Sequence, residues 1–348
     1  MKLTRLLLEN FRCFGKATFD MVGKDGRPLD VVLLVGDNGS GKTAVLQAIA
    51  GLMTVFGPYR ADALGAEDVR RGETSASIEM GLTDLVAENR VDLTFHAKIG
   101  IRAEPERGLR EGFAHSVAPP NQQYKPWSQL VHDPHPRPTG LILFFDVYRI
   151  LPPVSISGPN LQGVPRHRLE GALAPTVRRD GRVDLRFHQL KQWIVNLGFF
   201  RAMAIADRKE DLPLWATLRS ALDRMLHPYA FDRVDERFEV LFQGPSGTAR
   251  LEELSDGLRS VFAIVTELLL RLSLSTSDPA KILETEAVCL VDEIDAHLHP
   301  RWQERIIPFL RTLFPHVQWI ATTHSPLVIR TVEPENAFRL EEAPSEKT

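Results

Sequence analysis

Residues Val31–Val35 form an unbroken apolar run, and directly behind it Gly36–Thr43 reads GDNGSGKT. That stretch satisfies G-x-x-x-x-G-K-[ST] at every fixed position. A short run with no polar alternation is the pattern of a strand buried on both faces, as in a parallel sheet. A helix is expected from about Thr43 to Met53. Strand, glycine-rich loop and helix is the setting that the motif needs to work. Gly39 and Gly41 let the backbone curl so that N–H groups from Asn38 to Gly41, Ser40 included, face phosphate oxygens, and the helix adds its positive end. Lys42 is expected to reach the β- and γ-phosphates of a nucleotide, and Thr43 to ligate Mg²⁺.

More than two hundred residues later, Ala287–Pro300 reads AVCLVDEIDAHLHP. Apolar residues run into Asp292 and Glu293, as expected of a second buried strand that delivers two carboxylates at its C-terminal edge. With a phosphate loop in the same chain the acids take separate roles. Asp292 is placed to hold Mg²⁺, and Glu293 to polarise the attacking water as general base. The two stretches together imply binding and hydrolysis of ATP.

Composition agrees with a globular α/β protein. Hydrophobic residues make up 43% and charged residues 25% of the 348, enough for one large core with an inserted lobe. No apolar run approaches the ~20 residues of a membrane-spanning helix, and MKLTRLLLENF has too short an apolar centre for a secretory leader. Alternation of Leu3, Arg5 and Leu7 suggests a first strand instead. Cys13 and Cys289 lie in apolar, strand-like surroundings and are expected to be reduced, buried thiols of a cytoplasmic protein. The net charge of −3 gives no global field toward nucleic acid. Locally, residues 149–191 carry eight Arg or Lys against three acids, which reads either as a solvated face or as a contact for nucleic acid.

One ATPase domain, 1–348, is expected, with a nucleotide-binding lobe at 1–103, a loop-rich and helical insertion at 104–236, and a closing lobe at 237–348. Ser77–Leu82 and Val91–Ile99 alternate like antiparallel strands. Residues 104–140 and 152–182, rich in Pro, Gly, Arg and His, read as long loops around an apolar strand at Leu141–Phe145. Residues 187–227 carry helical spacing, and no heptad pattern continues over several turns, which excludes a long coiled coil. Glu239–Pro245, EVLFQGP, matches the recognition sequence of a picornavirus-type protease. Its native reading is a strand at Arg237–Phe242, a Gly-Pro-Ser-Gly turn and a short strand into Leu251.

The remaining motifs gain meaning from family resemblance. Leu254–Arg259, LSDGLR, opens a long apolar helix with Ser255 as its N-cap, and resembles the LSGGQ-type signature of ABC ATPases. Trp319–Pro326, WIATTHSP, ends a strand at His324, which resembles the switch histidine that contacts the γ-phosphate. Arg12, in NFRCF, resembles the N-terminal arginine that RecF- and SMC-like ATPases place near the nucleotide. Asp295 then faces a partner subunit. One of Gln122, Gln123 and Gln129 stands where a Mg²⁺-sensing glutamine is sought. His297 and His299 lack the cysteines or third ligand of a zinc site. LENFRCF, GDNGSGKT, LSDGLR, LVDEIDAHLHPRWQ and FPHVQWIATTHSPLV together resemble the RecF/SMC-like branch of ABC ATPases. More narrowly, they resemble the compact ATPases of bacterial defence cassettes of the Septu and retron-associated kind.

The resemblance implies an ABC-type P-loop head, a mixed sheet with flanking helices plus N-terminal antiparallel strands. It also implies an even-numbered oligomer, in the simplest case a head-to-tail homodimer in which Lys42 and Thr43 of one copy face Ser255 and Gly257 of the other across ATP. The chain stops sixteen residues after Val332, so no TOPRIM nuclease domain of the overcoming-lysogenization kind is expected, and no nuclease constellation stands out in the sequence. The target-damaging chemistry then falls to a separate effector, such as an HNH-type nuclease. The rival expectation is a RecF-like DNA-binding clamp for repair or maintenance, gripping DNA through 149–191. A transporter ATPase fits the NFRCF and HLHP-x-WQ runs poorly.

Overall fold

The computed structural model describes residues 1–56, 64–86, 89–104, 108–118, 141–147, 149, 154–165, 172–173, 186–207, 212–276 and 278–340. At its centre lies a five-stranded, wholly parallel sheet. Its members are β3 (Val31–Val35), β7 (Ile142–Phe145), β11 (Ala287–Val291), β12 (Val317–Thr323) and β13 (Ala337–Arg339), in the order β13-β3-β12-β11-β7. Every residue of β3 and β11 is buried. Alternate side chains enter two different cores: Val31, Leu33, Val35 and Cys289 face one, and Val32, Leu34, Val288 and Leu290 the other. A strand flanked on both faces needs apolar residues at every position, which is why these runs show no alternation.

The second core is closed by a five-stranded antiparallel sheet and by helix α1 (Lys42–Phe56). That sheet contains β1 (Lys2–Phe11), β2 (Phe14–Asp20), β4 (Ser75–Val86), β5 (Asn89–Glu104) and β6 (Gly108–Ala118), in the order β2-β1-β4-β5-β6. The parallel and antiparallel strands of the expected head thus sit in separate sheets. Two expectations are corrected here. The stretch 104–140 is not loop throughout, because β5 runs to Glu104 and pairs antiparallel with β6, with Glu104 opposite Gly108. Glycines and charges at 104–112 had hidden that ribbon, whose backbone ladder does not depend on apolar alternation. In β1 a register shift between Leu3 and Arg5 turns Leu6 and Leu8 inward with Leu3, so that Leu7 is not on the buried face.

The first core is closed by α2 (Arg186–Ala206), α3 (Pro213–Leu226), α4 (Asp256–Ser273) and α6 (Ile306–Leu313). A small sheet of β8 (Ala230–Val234), β9 (Val240–Gly244) and β10 (Gly247–Arg250) packs beside them. The EVLFQGP stretch forms the first strand and turn of a hairpin, starting later than expected, with Val240, Leu241 and Phe242 in the interior. Two short helices, α5 (Pro300–Gln303) and α7 (Pro326–Ile329), follow β11 and β12. No helix among the described residues is long and apolar enough to cross a membrane.

The two sheets are joined by one buried glutamine. Gln318, fully inaccessible on β12, accepts from Leu3 N at 2.7 Å and donates to Leu3 O at 2.9 Å and Leu29 O at 2.8 Å. Removing its amide strands three buried backbone groups, each costing about 1–3 kcal/mol. Gln318→Leu should lower unfolding stability by about 3 kcal/mol or more. A urea midpoint equal to that of the unmodified chain would show that the bridge adds nothing.

Candidate functional site

Four strands of the parallel sheet, β3, β12, β11 and β7, end on the same edge, where ligands bind in open α/β sheets. β3 delivers the phosphate loop, β12 delivers Thr322, Thr323 and His324, β11 delivers Asp292 and Glu293, and β7 delivers Asp146. Because β12 lies between β3 and β11, its end emerges between the loop and the acids.

The loop is curled by two left-handed glycines, Gly39 at φ 88° and Gly41 at φ 94°. A Cβ on Gly41 would lie 2.5 Å from Cys13 Sγ and 2.6 Å from the Phe14 ring, so the glycine also admits the β1–β2 turn against the loop. Cys13 is therefore a half-buried turn residue and not a strand core thiol as expected. Burial pushes its thiol pKa up, against a smaller pull from its own backbone hydrogen bond, Arg12 and Arg70. Asn38 and Gly39 are exposed, while Ser40 is buried with no hydrogen bond to its Oγ. Lys42 Nζ folds back to donate to Gly36 O and Asp37 O, both at 2.8 Å.

Thr43, in the first turn of α1, points its hydroxyl at the Asp292 carboxylate, 2.8 Å from Oδ2 and 3.0 Å from Oδ1. Thr322 Oγ1 donates to the same carboxylate at 2.7 Å and accepts from Glu293 N at 2.6 Å. Asp292 is buried. Glu293 has a left-handed backbone, φ 45°, an unfavourable state for a non-glycine residue. Its carboxylate is partly exposed, 3.7 Å from Nε2 of a partly exposed His324. Thr43, Asp292, Glu293 and His324 are thus brought together as the sequence suggested.

Other residues are placed differently from the simplest reading. Ser255 caps α4, accepting from Leu258 N at 3.4 Å, and is exposed together with Asp256. Gly257 is buried against its own chain, since a Cβ there would meet His297 O at 2.4 Å. His297 in turn is left-handed, φ 63°. Asp295 Oδ1 is buried without a hydrogen bond. Arg12 lies beside α1, its Nε 2.7 Å from the buried Asp68 and its Nη1 on the Gln47 side-chain oxygen. Neither Asp68 nor Gln47 carries a sequence signal for this. His299 caps α5, and Gln303 donates to Leu298 O and accepts from Ser325 Oγ. Gln122, Gln123 and Gln129 lie outside the described residues. The strand end beside Asp292 carries Asp146.

Arg149 was missed as a site residue. Counted on charge alone among the basic residues of 149–191, it is 2% exposed. It donates to Ser260 Oγ, to Asp146 O, and to the main-chain oxygens of Asp292 and Glu293. Burial lowers its pKa to about 10, opposed first by Asp292 and then by Asp146, Asp295 and Glu293. At the other end of the segment Lys191 is also buried, 2.7 Å from each of Glu239, Glu252 and Val154 O. The two ends of the basic segment are therefore internal and paired, not a solvated or nucleic-acid-facing surface. Arg166, Arg168, Arg178, Arg179 and Arg182 lie outside the described residues.

A family model described as "AAA domain, putative AbiEii toxin, Type IV TA system" matches residues 179–330, and one described as "AAA domain" matches residues 5–107. A Septu protein PtuA of Bacillus mycoides (strain KBAB4) is 25% identical over 345 residues, which is 97% of this chain and 40% of that protein. A retron Ec83 probable ATPase of Escherichia coli is 40% identical over 88 residues, covering 25% of this chain and 16% of the relative. The chain thus spans less than half the length of either. The SMC head domain of Pyrococcus furiosus, solved with an extended coiled coil and the C-terminal domain of ScpA, superimposes with a TM-score of 0.54 at 13% identity. That match covers 98% of this chain and 94% of the other. The fold is that of an SMC-type P-loop ATPase head, and the named relatives bear out the resemblance to SMC/RecF-like ATPases of defence systems.

The contact between Gly257 and His297 O can be tested directly. Gly257→Ala should lower stability by about 1–3 kcal/mol, because the added methyl overlaps a main-chain oxygen in a packed interior. An unchanged denaturation midpoint would show that the loop after the acids moves aside freely.

Proposed function

We propose that this chain is the ATP-hydrolysing subunit of a prokaryotic antiphage defence assembly. In this reading it closes around ATP as a head-to-tail dimer and so governs a separate effector, a nuclease of the HNH type in the simplest case. The observation that carries the ATPase part is the Thr43–Asp292 contact across the ends of β3 and β11, with Glu293 and His324 alongside.

The residues fit ATP and Mg²⁺. A threonine hydroxyl and a carboxylate 2.8 Å apart are the hard oxygen donors that Mg²⁺ takes. Two left-handed glycines and an unbonded buried Ser40 hydroxyl line the adjoining loop. Bound there, Mg²⁺ would neutralise charge on the β- and γ-phosphates. Lys42 would exchange its two carbonyl partners for phosphate oxygens. Glu293, whose carboxylate is open to solvent, would accept a proton from the attacking water, and His324 would donate toward the γ-phosphate. Arg12 contributes near the nucleotide through its position beside α1.

The dimer supplies what one copy lacks. Ser255 caps α4 at an exposed surface, and the N-terminus of a long helix favours an anion. The γ-phosphate of a second copy is the ligand for that end, with Asp295 at the seam. The relatives named for defence systems support the biological role. The clamp reading loses part of its basis, because Arg149 and Lys191 are internal.

Glu293→Gln should bind ATP, stall before hydrolysis and accumulate as a dimer in size-exclusion chromatography with ATP and Mg²⁺. Lys42→Ala should remain a monomer under the same conditions. A Glu293→Gln protein that stays monomeric at saturating ATP would sink the sandwich arrangement.

A further inference from the structure

We propose that Arg149 is a positioning residue for hydrolysis, clamping the backbone of Asp292 and Glu293 to the first turns of helix α4 through Ser260. This rests on the ATPase reading above and adds to it a residue that none of the sequence motifs contains.

Glu293 is the strained point of the strand end, with a left-handed backbone. A left-handed non-glycine residue costs about 1–3 kcal/mol and persists only where its surroundings hold it. Here its N–H is held by Thr322 Oγ1 at 2.6 Å. Its carbonyl oxygen accepts from Arg149 Nη2, and also from Ala296 N at 2.9 Å. The carbonyl oxygen of the preceding residue, Asp292, accepts from Arg149 Nη1. The peptides on both sides of Glu293 are therefore fixed, and one guanidinium fixes an oxygen of each.

The third leg leaves the strand end altogether. Arg149 Nε donates to Ser260 Oγ at 2.7 Å, and both residues are buried. Ser260 sits in the same helix as the exposed Ser255 cap. A shift of Glu293 toward or away from a nucleotide would therefore be felt at the start of α4. A change at the cap would likewise be felt at Glu293. The planar fork of arginine reaches these oxygens together, whereas a lysine ammonium is a single point on a flexible stem. The contacts with Asp292 and Glu293 use main-chain oxygens, which leaves both carboxylates to their own partners.

The test compares the unmodified chain with Arg149→Lys and Ser260→Ala, measuring ATPase rates against ATP concentration, Mg²⁺-dependent binding of a fluorescent ATP analogue, and thermal unfolding. Loss of a residue that orients the ligands of a catalytic ion lowers activity by about 10–100-fold. Arg149→Lys should lose that much in kcat while the analogue binds with unchanged affinity. Ser260→Ala removes only a hydroxyl and should lose about tenfold in kcat, the scale of one hydrogen bond to a charged group, while the stranded Arg149 Nε lowers the unfolding midpoint without abolishing folding. If Arg149→Lys does not fold, the kcat of Ser260→Ala decides. Retention of full kcat in the folded variants would overturn the proposal, as would a loss confined to nucleotide affinity. An unmodified chain that neither binds the analogue nor hydrolyses ATP would overturn the ATPase reading itself.

Discussion

The hydroxyl of Thr43 against the carboxylate of Asp292 joins residues 249 positions apart, and most of the site follows from the topology that makes this contact. Thr43 begins the helix after β3, and Asp292 ends β11. Between these strands the sheet order leaves room for β12 alone. Thr322 must therefore emerge beside Asp292, where its hydroxyl serves both that carboxylate and the Glu293 amide. A buried carboxylate needs such partners, because leaving it unpaired away from water would cost several kcal/mol or shift its ionisation. Two threonines meet that need without bringing a permanent cation onto the side chain.

Behind this edge the loops are tied to one another rather than left to solvent. The HLHP-x-WQ run, legible only as a family mark in the sequence, has a physical reading in the fold. His299 caps α5 and Pro300 occupies its first turn, where a missing N–H costs nothing. Trp302 stands edge-on to Phe309, with the Arg305 guanidinium over its ring. Gln303 then bridges Leu298 O and Ser325 Oγ. The loop that follows the acids and the loop that follows His324 are held by one side chain. The same loop presents His297 O to Gly257, so the start of α4 rests on it as well.

Much of this was legible because it is local. An apolar run ending in DE, or one ending in a glycine loop, announces both a strand and what the strand delivers. The capping serine of α4 and the helix behind it were equally plain. What stayed hidden was long-range. Arg149 lies in a run of basic and proline-rich sequence, and nothing within several residues of it signals burial; its partners are 111 to 144 residues away, apart from Asp146. Lys191 looked like surface charge for the same reason. Gly257 suggested approach to a ligand, when the nearer cause was a main-chain oxygen forty residues on. The pairing of β5 with β6 escaped because its ladder is made by backbone groups, and the glycines and charges along it suit loops as well as strands.

The placement of Arg149 also resolves a problem of charge. Four acids, Asp292, Glu293, Asp146 and Asp295, lie close enough to act on one guanidinium. Desolvation works against the charged form and pulls its pKa to about 10, yet that value leaves the group cationic at neutral pH. Had the guanidinium bound the Asp292 carboxylate directly, it would have occupied the oxygens that a divalent cation requires. By taking main-chain oxygens it offsets the crowding of negative charge and keeps the side chains available. A fixed cation at the backbone and an exchangeable one at the carboxylate can then coexist. Under the proposed ATPase reading, such a division would let the metal bind and leave with each nucleotide without loss of the shape of the strand end that carries the acids.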